Sequence, residues 1–489
     1  MSAELAFALP LALALAGAVS SLVADAFRRD ALASWLAVMG AAAGAAVAFA
    51  AAVTVAPAQV WRVFLTGAGY STVVGVVLAL GALSVATALG KGSPTSASFG
   101  GLVALSAVGA AVLATATDLV AILVALETVA LTSYALVAMS GTPRAHEAAM
   151  KYFVQGAIAS ALYVLGFAAV IIGGALLSAD GSFTSASSGV DLPATTAGVT
   201  LLVAALAFKL GAFPFHAWAP DAYETAPPQA VVFLASGPKL AALVAMYTVA
   251  FEVLGGSGVA ARATWLVALI AAASVVYGNL AALSQKNFAR MLAYSGIAQV
   301  GYGLTALVIQ SGTLALMFGA AYACAAAGAF AAVAAFKRID SGWDVSISGL
   351  AGFGRRAPLL SASVAVLLFS LTGIPPLFGF WGKFLVFMAT ASDPAWLWLA
   401  ILGVLGSVVS FGYYGRVLRA LYFDDAPESE SARLDEAGTP RVGSGAAGRV
   451  AVLLAVIVLV VGLVPLVWGF GSMVGLEPSG VFVIGTLLR

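Results

Sequence analysis

Charge is scarce in this chain: only 9% of its 489 residues are Asp, Glu, Lys or Arg, against about a quarter in soluble domains. Cysteine is scarcer still. The single one, Cys324 in an Ala-rich stretch, excludes a disulfide framework, a cysteine-ligated iron–sulfur cluster and a zinc ribbon. Two histidines, His146 and His216, do not make a bis-histidine haem site within one membrane span. No G-x-x-x-x-G-K-[ST], no dinucleotide fingerprint in a strand–helix context and no H-E-x-x-H occurs. Nucleotide hydrolysis is therefore unexpected on this chain, and any electron carriers belong on other chains, with no cofactor or metal held here. The net charge of +1 gives no reason to expect nucleic acid as a partner.

What fills the chain is hydrocarbon. Hydrophobic residues make up 62% of it, in recurring apolar runs of about 20 residues, the length of a membrane-crossing helix. The short alternating segments of a β-barrel are missing. The expected fold is all-α and polytopic in a lipid bilayer, with about 14 spans in one integral domain. Residues 1–99 would hold the first three helices, 100–251 and 263–421 two five-helix groups, 422–448 a cytoplasmic loop, and 449–489 the last helix and an external tail. The first span ends in Arg28 and Arg29; a cleaved signal would carry its charge first, so this one is read as retained. With both termini placed outside, fifteen basic residues fall in cytoplasmic loops and three, Arg62, Arg262 and Arg489, fall outside. That asymmetry sets the expected orientation in a prokaryotic plasma membrane.

One stretch organises the rest. LAFKLGAFPFHAWAPDAYETAPP (206–228) sets Lys209 in apolar surroundings and then interrupts its helix at Gly211 and Pro214. A second over-long span breaks at Gly373, Pro375 and Pro376, and GAFPFHAW (211–218) and GIPPLFGFW (373–381) share G-x-x-P followed by aromatics. They lie five spans apart, an odd offset that places the copies in opposite orientations, as in inverted repeats with broken helices. Glu127 is the only acid assigned deep to a span, where a charge costs about 3 kcal/mol on insertion scales. Lys209, Lys239 and Lys383 are also assigned to spans. Desolvation weakens a lysine's hold on its proton and a nearby carboxylate strengthens it, so a buried lysine with a movable carboxylate partner makes a proton switch. Arginine does not give up its proton and cannot serve this way. The structural alternative for each is a helix-pairing or capping role. Lys151 is equally well read as a side chain snorkelling to the interface, and His216 as a packed ring or a relay. Gly237–Pro238 should open the helix ladder beside Lys239, freeing carbonyls for water or for the lysine itself.

FKLGAFPFHAWAPDAYETAPP, FLASGPKLAAL (233–243), NLAALSQKNFARMLAYSGIAQVGY (279–302) and FSLTGIPPLFGFWGKF (369–384) together resemble the antiporter-like membrane subunits of respiratory complex I. The resemblance covers roughly 100–390. It implies fourteen helices in two inverted five-helix repeats, spans four to eight and nine to thirteen, with discontinuous seventh and twelfth helices. It maps the family's functional carboxylate onto Glu127 and its lysines onto Lys209, Lys239 and Lys383, with Lys151 matching a lysine of the K-Y-F-x-x-G motif. Gln299 stands where many members have histidine; it cannot carry a proton but can orient a water. The implied activity is proton translocation in an NADH–quinone oxidoreductase, with NADH, flavin, iron–sulfur clusters and quinone on partner subunits and other membrane subunits as neighbours. A subunit of a multisubunit cation/proton antiporter and one of a hydrogenase-linked relative are the competing readings. A scaffold without transport would gain stability by losing its buried charges.

Overall fold

The computed structural model describes residues 1–61, 63–89, 98–173, 175–177, 183–185, 192–253, 257–425 and 445–468. Arg62, Lys91, Arg433, Arg441 and Arg489 of the charge census, residues 426–444 of the expected cytoplasmic loop and the tail beyond 468 lie outside the described residues.

Helices dominate because uninterrupted apolar runs can satisfy their backbone only internally when water is absent. Helices α1 (Ala3–Ala26), α2 (Asp30–Thr54) and α3 (Ala68–Thr87) pack on one another and on α4 (Phe99–Thr115). Where α1 crosses α2, a methyl group on Gly17 would come within 2.7 Å of the Gly40 Cα. Small residues let apolar helices close on each other in this way. Helices α5 (Leu119–Ala138), α6 (Pro143–Ile172) and α7 (Leu192–Leu210) follow, then the short α8 (Trp218–Thr225), α9 (Pro228–Leu234) and α10 (Gly237–Tyr247). The second half runs α11 (Ser257–Ser284), α12 (Phe288–Val308), α13 (Gly312–Ile339), α14 (Phe353–Arg356), α15 (Pro358–Thr372), α16 (Phe378–Ala391), α17 (Leu397–Tyr422) and α18 (Ala446–Trp468).

Twelve of these segments are long and apolar enough to cross a membrane, and α4, α15 and α16 are shorter. Fourteen crossings result only if α4 counts as one and α15 with α16 together as another. The connection between α4 and α5 is an N-cap: the Asp118 carboxylate accepts from the Val120 and Ala121 amides, each at 2.9 Å. Asp118→Ala should cost about 1 kcal/mol, read as an earlier onset of thermal unfolding. Helix α7 starts at Leu192, and ahead of it Ala175–Leu177 pairs with Phe183–Ser185 in a hairpin.

The centre of the molecule is a column of almost wholly buried helices, α9–α10, α12 and α13. Helix α10 touches α7 and α13, and α12 touches α8, α13, α16 and α17. Of the candidate lysines, Lys209, Lys239 and Lys383 are buried and Lys151 is not.

Candidate functional site

Both helix breaks are built the same way. At the end of α7, Gly211 takes φ 71°, the Ala212 amide donates to Ala207 O and the Gly211 amide to Phe208 O, each at 2.9 Å. At the end of α15, Gly373 takes φ 92°, and Ile374 and Gly373 donate to Phe369 O and Ser370 O, each at 3.0 Å. These are Schellman closures, which want glycine at the left-handed position and stop the helix without fraying it. A cis X–Pro bond follows in each, Phe213–Pro214 and Pro375–Pro376. The closure leaves the last two helix carbonyls, those of Leu371 and Thr372 in α15, without a helix amide. They point into the column, where polar side chains use them.

A row of polar groups starts beside the column, between α5, α6 and α7, and enters it at α10. At one end, the Ser160 hydroxyl donates to Glu127 Oε1. Lys209, 4% exposed, donates instead to the Tyr152 hydroxyl at 3.2 Å. Glu127 and Lys209 line one cavity of about 20 Å³ together with Tyr134 and Ser160, yet form no ion pair within 4.0 Å. That volume suits a single water. Glu127 is only partly buried, so its depth along the helix is not matched by enclosure on all sides.

Lys239 comes next, 2% exposed. Its ammonium has no hydrogen-bond acceptor among the described residues and sits 5.5 Å and 5.8 Å from the Tyr223 and Tyr322 ring centres. Both distances fall within cation–π reach. The helix does open before Pro238, but Lys239 does not take the freed carbonyls. The Ser236 hydroxyl takes those of Val232 and Phe233, at 2.6 and 3.2 Å, and the Tyr223 hydroxyl takes Leu234 O at 3.1 Å. Tyr223 is thereby buried, because α8 folds back against the column.

Lys383 closes the row. Its ammonium donates to Leu371 O at 2.6 Å, Thr372 O at 3.2 Å and the Ser407 hydroxyl at 3.4 Å, over the Tyr302 ring at 4.5 Å. Behind it, Asn279 donates to the Tyr302 hydroxyl and accepts from Tyr413, each at 3.0 Å. Between Lys239 and Lys383 stands Gln299, 1% exposed, donating to Leu371 O at 2.7 Å. Ser295, a turn away on α12, is hydrogen-bonded to Tyr414.

Two candidates lie off this row. Lys151 is about half exposed, paired with Glu147 at 2.8 Å and Asp221 at 3.2 Å. Arg290 joins the same cluster through Asp221 at 2.8 Å and Glu224 at 2.7 Å, tying α8 to α6 and α12. His216 is buried against Phe213 and Tyr277, with ring centres 5.3 and 4.4 Å away, on the side of α11. The tyrosines and hydroxyls that join the lysines escaped the sequence reading. One signal was present: Ser295, Gln299 and Tyr302 fall at i, i+4 and i+7, on one stripe of α12.

A family model described as NADH:quinone oxidoreductase/Mrp antiporter, TM matches residues 116–410. The NADH-quinone oxidoreductase subunit N of Rhizorhabdus wittichii is 38% identical over 362 residues, covering 72% of this chain and 74% of that one. A chain of respiratory complex I from Thermus thermophilus with bound aureothin superposes with a TM-score of 0.76 at 30% identity, over 93% of this chain and 97% of that one. A chain of the archaeal membrane-bound sulfane sulfur reductase superposes with a TM-score of 0.80 at 27% identity, over 94% and 95%.

Proposed function

The chain belongs to the NADH:quinone oxidoreductase/Mrp antiporter family of membrane subunits, and from that premise we propose how it moves protons. It is an antiporter-like, proton-translocating membrane subunit of an NADH-quinone oxidoreductase, one multi-pass subunit among other membrane subunits. Translocation runs along Glu127, Lys209, Lys239 and Lys383. The observation that carries this reading is the row itself: three lysines of one chain, each almost fully buried and none in an ion pair among the described residues, with Lys209 on the Tyr152 hydroxyl and Lys383 near that of Ser407.

The switch lies at the Glu127 end. Held by Ser160, the carboxylate leaves Lys209 on a neutral tyrosine. Moved across the shared cavity onto Lys209, it would favour the protonated lysine, and its withdrawal would release the proton towards Lys239. Redox energy released on partner subunits would drive that exchange. The flavin, iron–sulfur clusters, NADH and quinone sites belong to those partners, a division supported by a chain with one cysteine and two histidines. Both termini are assigned to the external side. Support comes from Arg144, Lys151, Arg290 and Lys337, which line one cavity of about 470 Å³ and so share one face.

Replacing Glu127 or Lys209 with alanine in the assembled complex should lower the ratio of proton uptake to quinone reduction at least fivefold, measured in proteoliposomes with a pH-sensitive dye. Undiminished coupled turnover in both variants would remove the switch.

A further inference from the structure

Leu371 O is the one carbonyl in the row that serves two side chains at once. The Schellman closure deprives it of a helix amide, and Lys383 and Gln299 donate to it at 2.6 and 2.7 Å. A carbonyl oxygen has two lone pairs, so this acceptor is fully used. We infer that Gln299 is a positioning residue for Lys383: its amide permanently occupies half of the Leu371 acceptor, so that the ammonium shares a carbonyl it would otherwise hold alone.

The chemistry of the amide makes the hold constant. Glutamine neither gains nor loses a proton in the accessible pH range, so its N–H never leaves the carbonyl through titration. Lys383 is correspondingly loosened. Its other acceptors, Thr372 O at 3.2 Å and Ser407 Oγ at 3.4 Å, are longer contacts that lie on different helices, α15 and α17. The side chain thus has alternative places to go when it is displaced from Leu371. Helix α12 shares the Leu371 acceptor with Lys383 through the Gln299 amide and meets the ammonium itself through the Tyr302 ring three residues on.

The titratable groups around Lys383 are few. The titratable group in contact with Lys383 is Tyr302 on α12; behind it α17 contributes Tyr413, bonded to Asn279, and Tyr414, bonded to Ser295, while Tyr322 on α13 faces Lys239. Helix α15 carries no titratable side chain and α18 carries only Arg449, at its far end. None of the described carboxylates lies within 4.0 Å of the Lys383 ammonium. Shifts of the alkaline limb on changing Gln299 therefore report on Lys383 and these tyrosines; an introduced histidine, with an ordinary pKa near 6.5, titrates on the acidic side of the profile.

This inference rests on Lys383 belonging to the proposed row, and the experiment separates the two. Assembled complexes with Gln299→Leu, Gln299→His or Lys383→Met are reconstituted, and pumping per quinone reduced is followed from pH 6 to 9. Gln299→Leu should leave the carbonyl to the ammonium alone and move the alkaline limb of the profile up by about half a pH unit or more. Gln299→His, which keeps an N–H donor, should return the limb to the wild-type position. Gln299→Met, of equal length without the donor, is read in the same way should the leucine variant not assemble. An unmoved limb in the donorless variants, or an equal displacement in Gln299→His, overturns the inference. Full pumping in Lys383→Met would instead overturn the row.

Discussion

Replacing Lys239 with methionine should make the assembled subunit more resistant to heat while cutting its coupled proton movement at least tenfold. The two effects share one cause. The Lys239 ammonium is enclosed by α8, α10, α12 and α13 and is offered only aromatic faces by the described residues. Moving an ion out of water without a counter-charge costs several kcal/mol, and apolar replacements of similar volume in such sites are neutral or stabilising by about 1–4 kcal/mol. Methionine fits because it is nearly as long, unbranched and adaptable to an irregular gap. A methyl group added to Gly296 would lie 3.2 Å from the lysine nitrogen, so the cavity leaves little room for anything wider. What the fold gains, the row loses, because a thioether takes up no proton. The thermal measurement is loss of the intact complex on native gels after graded heating, beside the pumping ratio. A methionine variant that is less stable than wild type, or that pumps at more than half the wild-type rate, would refute this account of Lys239.

The same residue shows what the sequence could and could not reveal. Lysines inside apolar runs stand out one by one because the surrounding stretch has no other charge, and the Gly–Pro breaks stand out because few residues stop a helix. The three buried lysines and both breaks were legible for that reason. Helix faces were not. In a soluble protein the buried side of a helix is the apolar side, but here lipid and core are equally apolar, and periodicity cannot tell them apart. Nothing in W-A-P-D-A-Y-E-T says that Tyr223 turns in beside Lys239 while Asp221, two residues earlier, turns out to Arg290 and Lys151. Lys151 kept two readings for a related reason: its motif marks a helix, and only packing shows that this position faces Glu147 and Asp221. The hydroxyls of Tyr152, Ser160 and Ser407 join the row through contacts 24 to 57 residues apart in sequence, a separation no local pattern encodes.

Gly379→Ala should be the most damaging single methyl group that can be added to the second break. A Cβ there would lie 2.1 Å from Ser370 O and 2.7 Å from Ser370 Oγ, and the Gly379 amide already donates to that hydroxyl at 3.0 Å. The nearer obstacle is a backbone carbonyl in the last turn of α15, which cannot rotate away as a side chain would. The start of α16 must therefore move outward by an ångström or more, at a cost of about 3 kcal/mol. Because Lys383 is carried on α16, the same movement withdraws its ammonium from Leu371 O and Thr372 O, bonds now at 2.6 and 3.2 Å. Two other glycines calibrate the effect. Gly211→Ala meets nothing closer than 3.6 Å and bears mainly the left-handed backbone cost, about 1–2 kcal/mol. Gly373→Ala adds to that cost a 3.1 Å approach to Lys383 Cδ, the flexible part of a long side chain. The yield of assembled subunit should fall in the order Gly211→Ala, Gly373→Ala, Gly379→Ala. Any Gly379→Ala that assembles should show a pumping ratio reduced several-fold, with quinone reduction less affected. Assembly and pumping in Gly379→Ala equal to those of Gly211→Ala would mean that the two halves of the broken helix are not packed this closely, and that Lys383 does not depend on their contact.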